Sequence, residues 1–529
     1  MAVMSSPEEY NLTDFENENG NVIIENSDSN SYNSSDSLYS SGDSIGISFH
    51  TSQIGSFRSE IITDSDDNDE QISENGRNWM ELPSPAIENI YTFLSRTDQS
   101  RMSLVCSRWS KHFNSPCLWK TFRFYLPEHN YSSDIYPEVR FARKYASMIR
   151  HVEIICKRVK NHLIEDISNQ LKLFLQAMEF SSHLISIKLI NMGNYFRRLE
   201  DVEYECLFVY FIRLFYSQEN LKTVVFQESR FSKEKGMELL KAIFHSDSHT
   251  IRNLTLRGYV NEAPFTILSQ HYLTNLSNVC CRIAAVQSLE VDYTQIFEDV
   301  INCLYQKLSS GDYHLDKNKT GISTLNIYCE GKRQLGFRGI LPGTWRYLAN
   351  VFPDMKVKMD VTIHSHLNNE MEKLLVREMP LQTLEFRFEK LSSSSRTDIS
   401  VLFTYLQMCK YQDHLETLSI FWMPSIADFG GSVIPFIQSC EKLQNFHLHA
   451  KSTPRGIENI LLAILENPPT SLKSITLWFN YLQENENEEN LKALSEKYYP
   501  LFNAQDIKCF LVIDPSRSLR RRRPSVTVL

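Results

Sequence analysis

The sequence predicts an α/β chain in which a small helical module is followed by a solenoid of parallel strands lined by helices. Two observations predict this architecture. The stretch from Trp79 to Trp119 has apolar residues at helical spacing, and beyond it the pattern apolar-x-x-apolar-x-apolar recurs from Ile149 to Val512. The preceding residues are rich in Ser, Asn, Asp and Glu, which predicts a disordered acidic N-terminal arm, because such a segment buries too little apolar surface to fold.

The composition narrows the class of protein. The chain has 529 residues, enough for several domains, and a net charge of −9, which argues against a nucleic-acid partner. The 11 cysteines are scattered without a CxxC pair and no secretory signal is recognised, so we expect reduced thiols rather than a disulfide framework. No apolar run is long enough to span a bilayer. The expected location is the cytoplasm, the nucleus or both, with no membrane partner.

Three short helices are expected in the Trp79–Trp119 module. Apolar residues at Ile87, Ile90 and Leu94 follow helical spacing, and Pro83 and Pro85 fit only before or at the start of that helix. Asp98 is a candidate N-cap for a second helix. A third is predicted from Met102, Val105, Cys106 and Trp109. A module of this size buries too little core to be stable alone, so it needs a partner surface or a second domain. On periodicity alone, it could equally be the N-terminal cap of a larger fold.

The residues of the module resemble an F-box. The resemblance rests on Leu82-Pro83, the Ile90-to-Leu94 helix, Val105-Cys106-Ser107-Arg108-Trp109 and Pro116-Cys117-Leu118-Trp119. It implies docking to the adaptor Skp1, and through Skp1 to a cullin. The resemblance implies that Leu82, Pro83, Ile87, Ile90 and Leu94 face Skp1. It also implies that Val105 and Trp109 hold the module together. The implied Skp1-binding set is Leu82, Pro83, Ile87, Ile90, Leu94, Val105, Trp109, Leu118 and Trp119. Pro85 and Ala86 depart from the family pattern.

The repeated pattern predicts strands alternating with helices. Its spacing of roughly 28 to 37 residues is at or above the upper end of the leucine-rich-repeat range, which leaves room for one strand and one helix per unit. A doubly wound sheet is the alternative. The repeats resemble the irregular leucine-rich repeats of F-box proteins but lack the asparagine that follows the strand in many families, so we expect variable turns. In the last repeat, Cys509, Leu511 and Ile513 are expected to point outward.

A finer resemblance comes from several later residues. Gly343-Thr344-Trp345, Leu348, the Lys356-Val357-Lys358 strand and Met379-Pro380 are similar to the F-box only protein thirty-nine subgroup. The predicted domains are a disordered arm at 1–76, an F-box at 77–126, a leucine-rich-repeat-like solenoid at 127–513 and a basic flexible tail at 514–529. The tail ends in Thr527-Val528-Leu529, which resembles a PDZ-domain ligand.

One row of strand residues is a candidate substrate surface. The residue immediately after the third apolar position of each later repeat points to the expected concave face. With strands about 4.8 Å apart, six such positions span on the order of 24 Å. The row consists of Tyr328, Lys358, Arg387, Phe421, His449 and Trp478, which combines the aromatic and cationic side chains typical of protein interfaces. The alternative is that these are ordinary exposed strand residues.

No motif points to catalysis, a cofactor or a metal. The chain has no GxSxG, P-loop, GxGxxG or HExxH sequence, and the pairs His364/His366 and His447/His449 have no Cys or carboxylate cluster nearby in sequence. The first hypothesis is therefore a non-catalytic substrate-recognition subunit of a Skp1–cullin–F-box E3 ubiquitin ligase, with Skp1, a cullin and an unknown protein substrate as partners. The second is a non-ligase leucine-rich-repeat scaffold, and the third is an enzyme in its own right.

Overall fold

The computed structural model describes residues 82–126, 136–157, 159–245, 250–261, 269–311, 321–330, 339–364, 367–389, 398–426, 429–480 and 487–513. The predicted arm at 1–76 and the predicted tail at 514–529, including the PDZ-type C-terminus, lie outside the described residues, as do Trp79 and His366.

The described strands form one parallel sheet of 13 strands whose spatial order is their order in the chain. The strands are β1 (Thr121–Leu126), β2 (His151–Cys156), β3 (Ser186–Ile190), β4 (Thr223–Gln227), β5 (Asn253–Arg257), β6 (Ser288–Asp292), β7 (Thr324–Glu330), β8 (Lys356–Ile363), β9 (Leu381–Phe388), β10 (Thr417–Ser425), β11 (Asn445–Lys451), β12 (Ser474–Asn480) and β13 (Lys508–Ile513). This confirms the predicted solenoid and excludes the doubly wound order, in which the strand sequence would reverse.

Helices connect the strands, and helices adjacent in the chain pack against each other in one layer. They are α1 (Ser84–Phe93), α2 (Arg96–Ser103), α3 (Ser107–Phe113), α4 (Pro137–Tyr145), α5 (Ile164–Ser181), α6 (Gly193–Phe196), α7 (Asp201–Tyr216), α8 (Lys233–Ile243), α9 (Gln270–Ile283), α10 (Gln295–Ser310), α11 (Pro342–Val351), α12 (Leu367–Leu374), α13 (Ile399–Met408), α14 (Val433–Ser439), α15 (Pro454–Glu466) and α16 (Asn487–Asn503).

Alternation along each strand decides which sheet face is buried. In β2 and β11, every second residue is buried and the residues between are partly exposed. The buried members, such as Val152 and Ile154, pack with helix residues such as Leu171 and Phe174 in one continuous core. The opposite sheet face carries the partly exposed residues, and we call it the open face.

The turns after three neighbouring strands share one conformation. Asn191, Glu228 and Gly258 directly follow β3, β4 and β5, and each has a left-handed backbone with φ of 60°, 53° and 55°. The amide of Asn191 donates to the Gln227 carbonyl, and that of Glu228 to the Arg257 carbonyl, both at 2.7 Å. The turns are therefore more uniform here than the missing asparagine motif predicted.

The structure corrects three details of the sequence interpretation. Thr121–Leu126 falls in the predicted 77–126 domain, but it pairs in parallel with β2 and is the first strand of the sheet. The N-cap of α2 is Ser95, whose hydroxyl accepts from the Asp98 amide at 3.2 Å, so Asp98 lies within the first turn. In β13, Cys509 and Leu511 are buried, because they lie in register with the core residues Ile475 and Leu477 rather than on the open face.

Candidate protein-interaction surfaces

The helical module has a small core of its own. Ile87 and Tyr91 of α1 are fully buried and pack with Met102 and Leu118. The Tyr91 hydroxyl donates to the Trp109 carbonyl at 2.9 Å, and the buried Gln99 amide donates to the Tyr91 carbonyl at 2.7 Å. These bonds fix the three helices relative to one another.

The module is completed by the first helix of the solenoid. Trp119 is buried and its ring stacks on Tyr145 of α4 at 5.3 Å between centroids, with Phe141 at 4.8 Å. Its Nε1 donates to the Phe113 carbonyl at 2.7 Å, and the Tyr145 hydroxyl donates to the Asn114 side-chain oxygen at 2.7 Å. Of the two alternatives expected from the sequence, a partner surface or a second domain, the structure shows the solenoid packing against the core of the module.

Three large apolar side chains of the module are exposed to solvent. Phe93, at the end of α1, is 81% exposed, and Leu104 and Val105, between α2 and α3, are 84% and 65% exposed. We call these three residues the apolar patch. Large exposed apolar side chains on a well-packed module are typical of a surface that a partner protein covers.

The structure divides the nine predicted Skp1-binding residues into three groups by burial. Ile87, Leu118 and Trp119 are buried in the core of the module, where they are positioned to support a docking surface rather than to contact a partner. Pro83 and Val105 are exposed, and Val105 does not pack inside the module as the resemblance implied, because it lies in the turn between α2 and α3. The partly buried members are Leu82, Ile90, Leu94 and Trp109, which pack against the core from its edge.

Strand register corrects the predicted substrate row. Arg387, Phe421, His449 and Trp478 occupy one level of the open face, since each is paired with the next across β9 to β12. Tyr328 does not share that level.

Tyr328 pairs with Asp360, and Lys358 pairs with Asn326 on one side and Thr383 on the other. The alignment was wrong for these two residues because the residues level with Arg387 are Thr362 in β8 and Glu330 in β7, four residues beyond Lys358 and two beyond Tyr328.

A cleft of about 200 Å³ opens where β4 to β9 end on the open face. Its lining is polar and charged, and consists of Glu228, Arg257, Asp292, Tyr293, Thr294, Tyr328, Cys329, Glu330, Asp360, Thr362 and Arg387. The guanidinium of Arg257 lies 3.8 Å from the centroid of the Tyr328 ring, a close cation–π contact. The cleft therefore contains two of the predicted substrate-row residues, Tyr328 and Arg387.

Ion pairs connect Arg387 and Asp360 of the cleft with the neighbouring Glu385 and Lys358. Arg387 reaches Asp360 at 2.8 Å and Glu385 at 3.3 Å, and Lys358 reaches Glu385 at 2.6 Å. Burial raises the pKa of Asp360 above its usual value, although the Arg387 guanidinium opposes that rise. Because four carboxylates and two guanidiniums line the cleft, it favours a guest that brings positive charge.

Next to the cleft, the aligned part of the row forms an aromatic strip, defined by Phe421, His449 and Trp478. Phe421 and His449 meet edge to face at 4.3 Å, and His449 and Trp478 are 6.2 Å apart at 46°. Since Arg387 pairs with Phe421, the strip and the cleft are continuous. Ring contacts across parallel strands restrain these side chains, which reduces the conformational entropy lost when a partner binds.

Comparison with known families decides the nature of the helical module. Residues 79–121 match the family model described as the F-box domain. The helical module is an F-box domain. Its end at residue 121 agrees with the start of β1 in the structure and not with the predicted boundary at 126.

Relatives extend the similarity beyond the F-box. The F-box/LRR-repeat protein 21 of Ovis aries is 20% identical over 312 residues, which cover 58% of this chain and 64% of that protein. The Bos taurus and Mus musculus proteins of the same name are 31% and 32% identical over 78 residues, or 14% of this chain and 18% of theirs. The match thus spans less than two thirds of each relative. Together with the parallel-strand solenoid, this similarity supports an F-box/leucine-rich-repeat protein. The comparisons do not distinguish the F-box only protein thirty-nine subgroup.

Several residues of these surfaces were missed in the sequence. Phe93 and Leu104 resemble ordinary helix-core residues, so no sequence signal marked them as exposed. Arg257 and Asp292 were not part of the predicted row, yet they lie beside Tyr328 in the cleft. A strand-by-strand register was the missing information, since it brings residues of different repeats to one level.

Metal binding has no support among the described residues. No group of three or more His, Cys, Asp or Glu side chains in the described ranges is arranged to hold a metal ion. His364 lies 3.5 Å from Glu389, while His447 and His449 lie on successive levels of the open face. In the same part of the chain, no helix has the length and apolarity to cross a bilayer.

Proposed function

We propose that this chain is a substrate-recognition subunit of a Skp1–cullin–F-box E3 ubiquitin ligase. The F-box docks on Skp1, which links the chain to a cullin, and the solenoid holds a protein substrate. The observation that carries the proposal is an F-box whose core is complete and whose surface still exposes Phe93, Leu104 and Val105. The chain itself supplies proximity and orientation, and the transfer of ubiquitin belongs to other subunits.

The apolar patch is the surface through which the F-box binds Skp1. Burying three large apolar side chains supplies the hydrophobic centre that protein interfaces typically have. Pro83 and the partly buried Leu82, Ile90 and Leu94 extend this surface, while Ile87, Leu118 and Trp119 keep its helices in place. Removing the patch is therefore expected to abolish binding without unfolding the module.

The open face from β5 to β12 is the substrate surface. The charged cleft and the aromatic strip are continuous there, so one extended substrate segment can contact both. The excess of carboxylates favours a segment with a Lys or Arg side chain for the cleft, and Phe421 and Trp478 favour an apolar residue beside it. Peptide arrays of basic and acidic segments, probed with the full chain and with Asp360→Asn, test this preference; equal binding of both peptide classes contradicts it.

Co-expression of the full chain with Skp1, followed by size-exclusion chromatography and cullin co-precipitation, tests the proposal. We expect a stable complex that the double variant Phe93→Glu/Leu104→Glu loses. The matched control is Phe180→Glu/Val202→Glu, which changes two residues of the solenoid helices that are 70% and 82% exposed. A folded wild-type chain that elutes without Skp1 would overturn the proposal and favour a non-ligase scaffold.

Three further assignments belong to this proposal. The resemblance to the F-box only protein thirty-nine subgroup and a location in the cytoplasm or nucleus are proposed on sequence grounds alone. A PDZ-domain partner for Thr527-Val528-Leu529 rests on the C-terminal sequence, and truncation of these three residues tests it in a pull-down with PDZ domains.

A further inference from the structure

Three cysteines from two neighbouring helices meet in the helical layer. Cys280 and Cys281 lie near the end of α9, and Cys303 lies in the middle of α10. The Sγ atoms of Cys280 and Cys303 are 3.3 Å apart, whereas those of Cys280 and Cys281 are 3.9 Å apart. The closest pair therefore connects two helices rather than two adjacent residues.

The two thiols differ in exposure. Cys280 is fully buried, while Cys303 is only partly buried, so a small solute reaches Cys303 first. Other core cysteines are poor reactants: burial raises the pKa of Cys156 to about 11 and that of Cys440 to about 12, which keeps both as thiols.

The surroundings of Cys303 favour its thiolate. The hydrogen bond from the Cys280 thiol is the largest effect on Cys303 and lowers its pKa. Burial opposes this change and the positive charge of Lys307 adds to it, so that the pKa of Cys303 is about 7. Hydrogen bonds with Cys281 and Cys303, together with burial, raise the pKa of Cys280. Lys307 is held in place because its Nζ donates to the Ser277 carbonyl of α9 at 2.7 Å. Reactive cysteines typically combine partial exposure, a neighbouring cation and a second thiol within reach.

We propose that Cys303 and Cys280 are a modification site, at which a hydroperoxide drives formation of a reversible disulfide between α9 and α10. The Cys303 thiolate attacks the O–O bond, giving a sulfenic acid and releasing hydroxide. The Cys280 thiol then attacks that sulfur, the S–O bond breaks, and water leaves with the thiol proton. The peroxide is reduced and the two thiols are oxidised; a dithiol or glutathione reverses the change.

The disulfide would enclose one strand of the sheet in a covalent loop. The strand β6 lies between α9 and α10 in the chain, and its last residue, Asp292, lines the cleft together with Thr294. A disulfide between α9 and α10 closes a covalent loop around this strand. Cross-linking restricts the unfolded chain, so the oxidised protein is expected to resist thermal unfolding better than the reduced one.

Peptide mapping of the full chain tests the proposal. The protein is reduced, freed of reductant, treated with hydrogen peroxide, and digested without reduction. We expect a linked peptide pair containing Cys280 and Cys303 that dithiothreitol separates. The pair should persist in Cys281→Ser and disappear in Cys280→Ser and Cys303→Ser. The exposed Cys117 and Cys206 serve as internal controls for alkylation.

Three results would overturn the proposal. They are the absence of the linked pair in the wild-type protein at full oxidation, overoxidation of Cys303 without any link, and a link that persists in Cys280→Ser through Cys281. Circular dichroism under reducing conditions checks that each variant folds. If Cys303→Ser misfolds, Cys303→Ala replaces it, and the wild-type result still decides between the outcomes.

Discussion

Replacing Trp119 by alanine tests how the F-box and the solenoid are joined. The side chain is buried against Phe113, Phe141 and Tyr145, with ring centroids 4.8 to 5.3 Å away. Removing a buried tryptophan costs about 3–5 kcal/mol, since it leaves a cavity among rings that cannot collapse onto each other. The hydrogen bond to the Phe113 carbonyl contributes about 1 kcal/mol of this.

Limited proteolysis and urea denaturation of Trp119→Ala measure this cost. We expect early cleavage within α2 and α3 while the sheet remains protected, because the packing lost is between the F-box and α4. Trp119→Phe is the milder control: it keeps an aromatic ring but loses the hydrogen bond and part of the indole volume, so it should cost less than Trp119→Ala. A destabilisation of Trp119→Ala below about 1 kcal/mol, with an unchanged cleavage pattern, would refute the reasoning.

Four further substitutions test single sites by urea denaturation. Gly258→Ala should destabilise the chain by about 1–2 kcal/mol. The left-handed φ of 55° disfavours a side chain at this position, and the added Cβ would lie 2.5 Å from the Glu228 carboxylate. An unchanged denaturation midpoint would contradict this prediction. Ile87→Ala should cost about 2–5 kcal/mol and the exposed Val105→Ala less than about 0.5 kcal/mol, and equal costs would contradict the assigned burial. Burial alone would raise the pKa of Glu153, but hydrogen bonds from Lys188 and Arg123 hold it below its usual value. This stabilisation is present above the unfolded-state pKa and is lost as the pH falls through the lower folded-state pKa. Glu153→Gln should therefore cost about 0.5–1 kcal/mol at pH 7 and almost nothing well below pH ~4. A pH-independent difference would contradict the ion pairs.

The architecture could be predicted from the sequence because its signals are local and repeated. Each strand after β1 carries the same short apolar pattern, and helices connect successive strands. The strand β1 was missed because Phe122, Phe124 and Leu126 directly follow the F-box, before the first recognised repeat. The F-box could be recognised because its residues keep a fixed order along the chain.

The candidate surfaces could be predicted only in part, since they depend on register and burial. Lys358 pairs with Thr383, four residues before Arg387, and nothing in the local sequence marks that offset. Similarly, Ile87 and Val105 are both apolar residues of the F-box, yet one is fully buried and the other exposed. The packing of the three F-box helices against α4 decides which of these residues are buried in the module and which are available to a partner.

The central claim is that the F-box binds Skp1 through its apolar patch and leaves the open face available. Hydrogen–deuterium exchange of the full chain, with and without Skp1, tests this most directly. We predict protection in the peptides that contain Phe93 and Leu104–Val105, with unchanged exchange at the strand ends around Asp292 and Asp360. Protection at those strand ends, or none in the F-box under conditions where Skp1 is bound, would contradict the account.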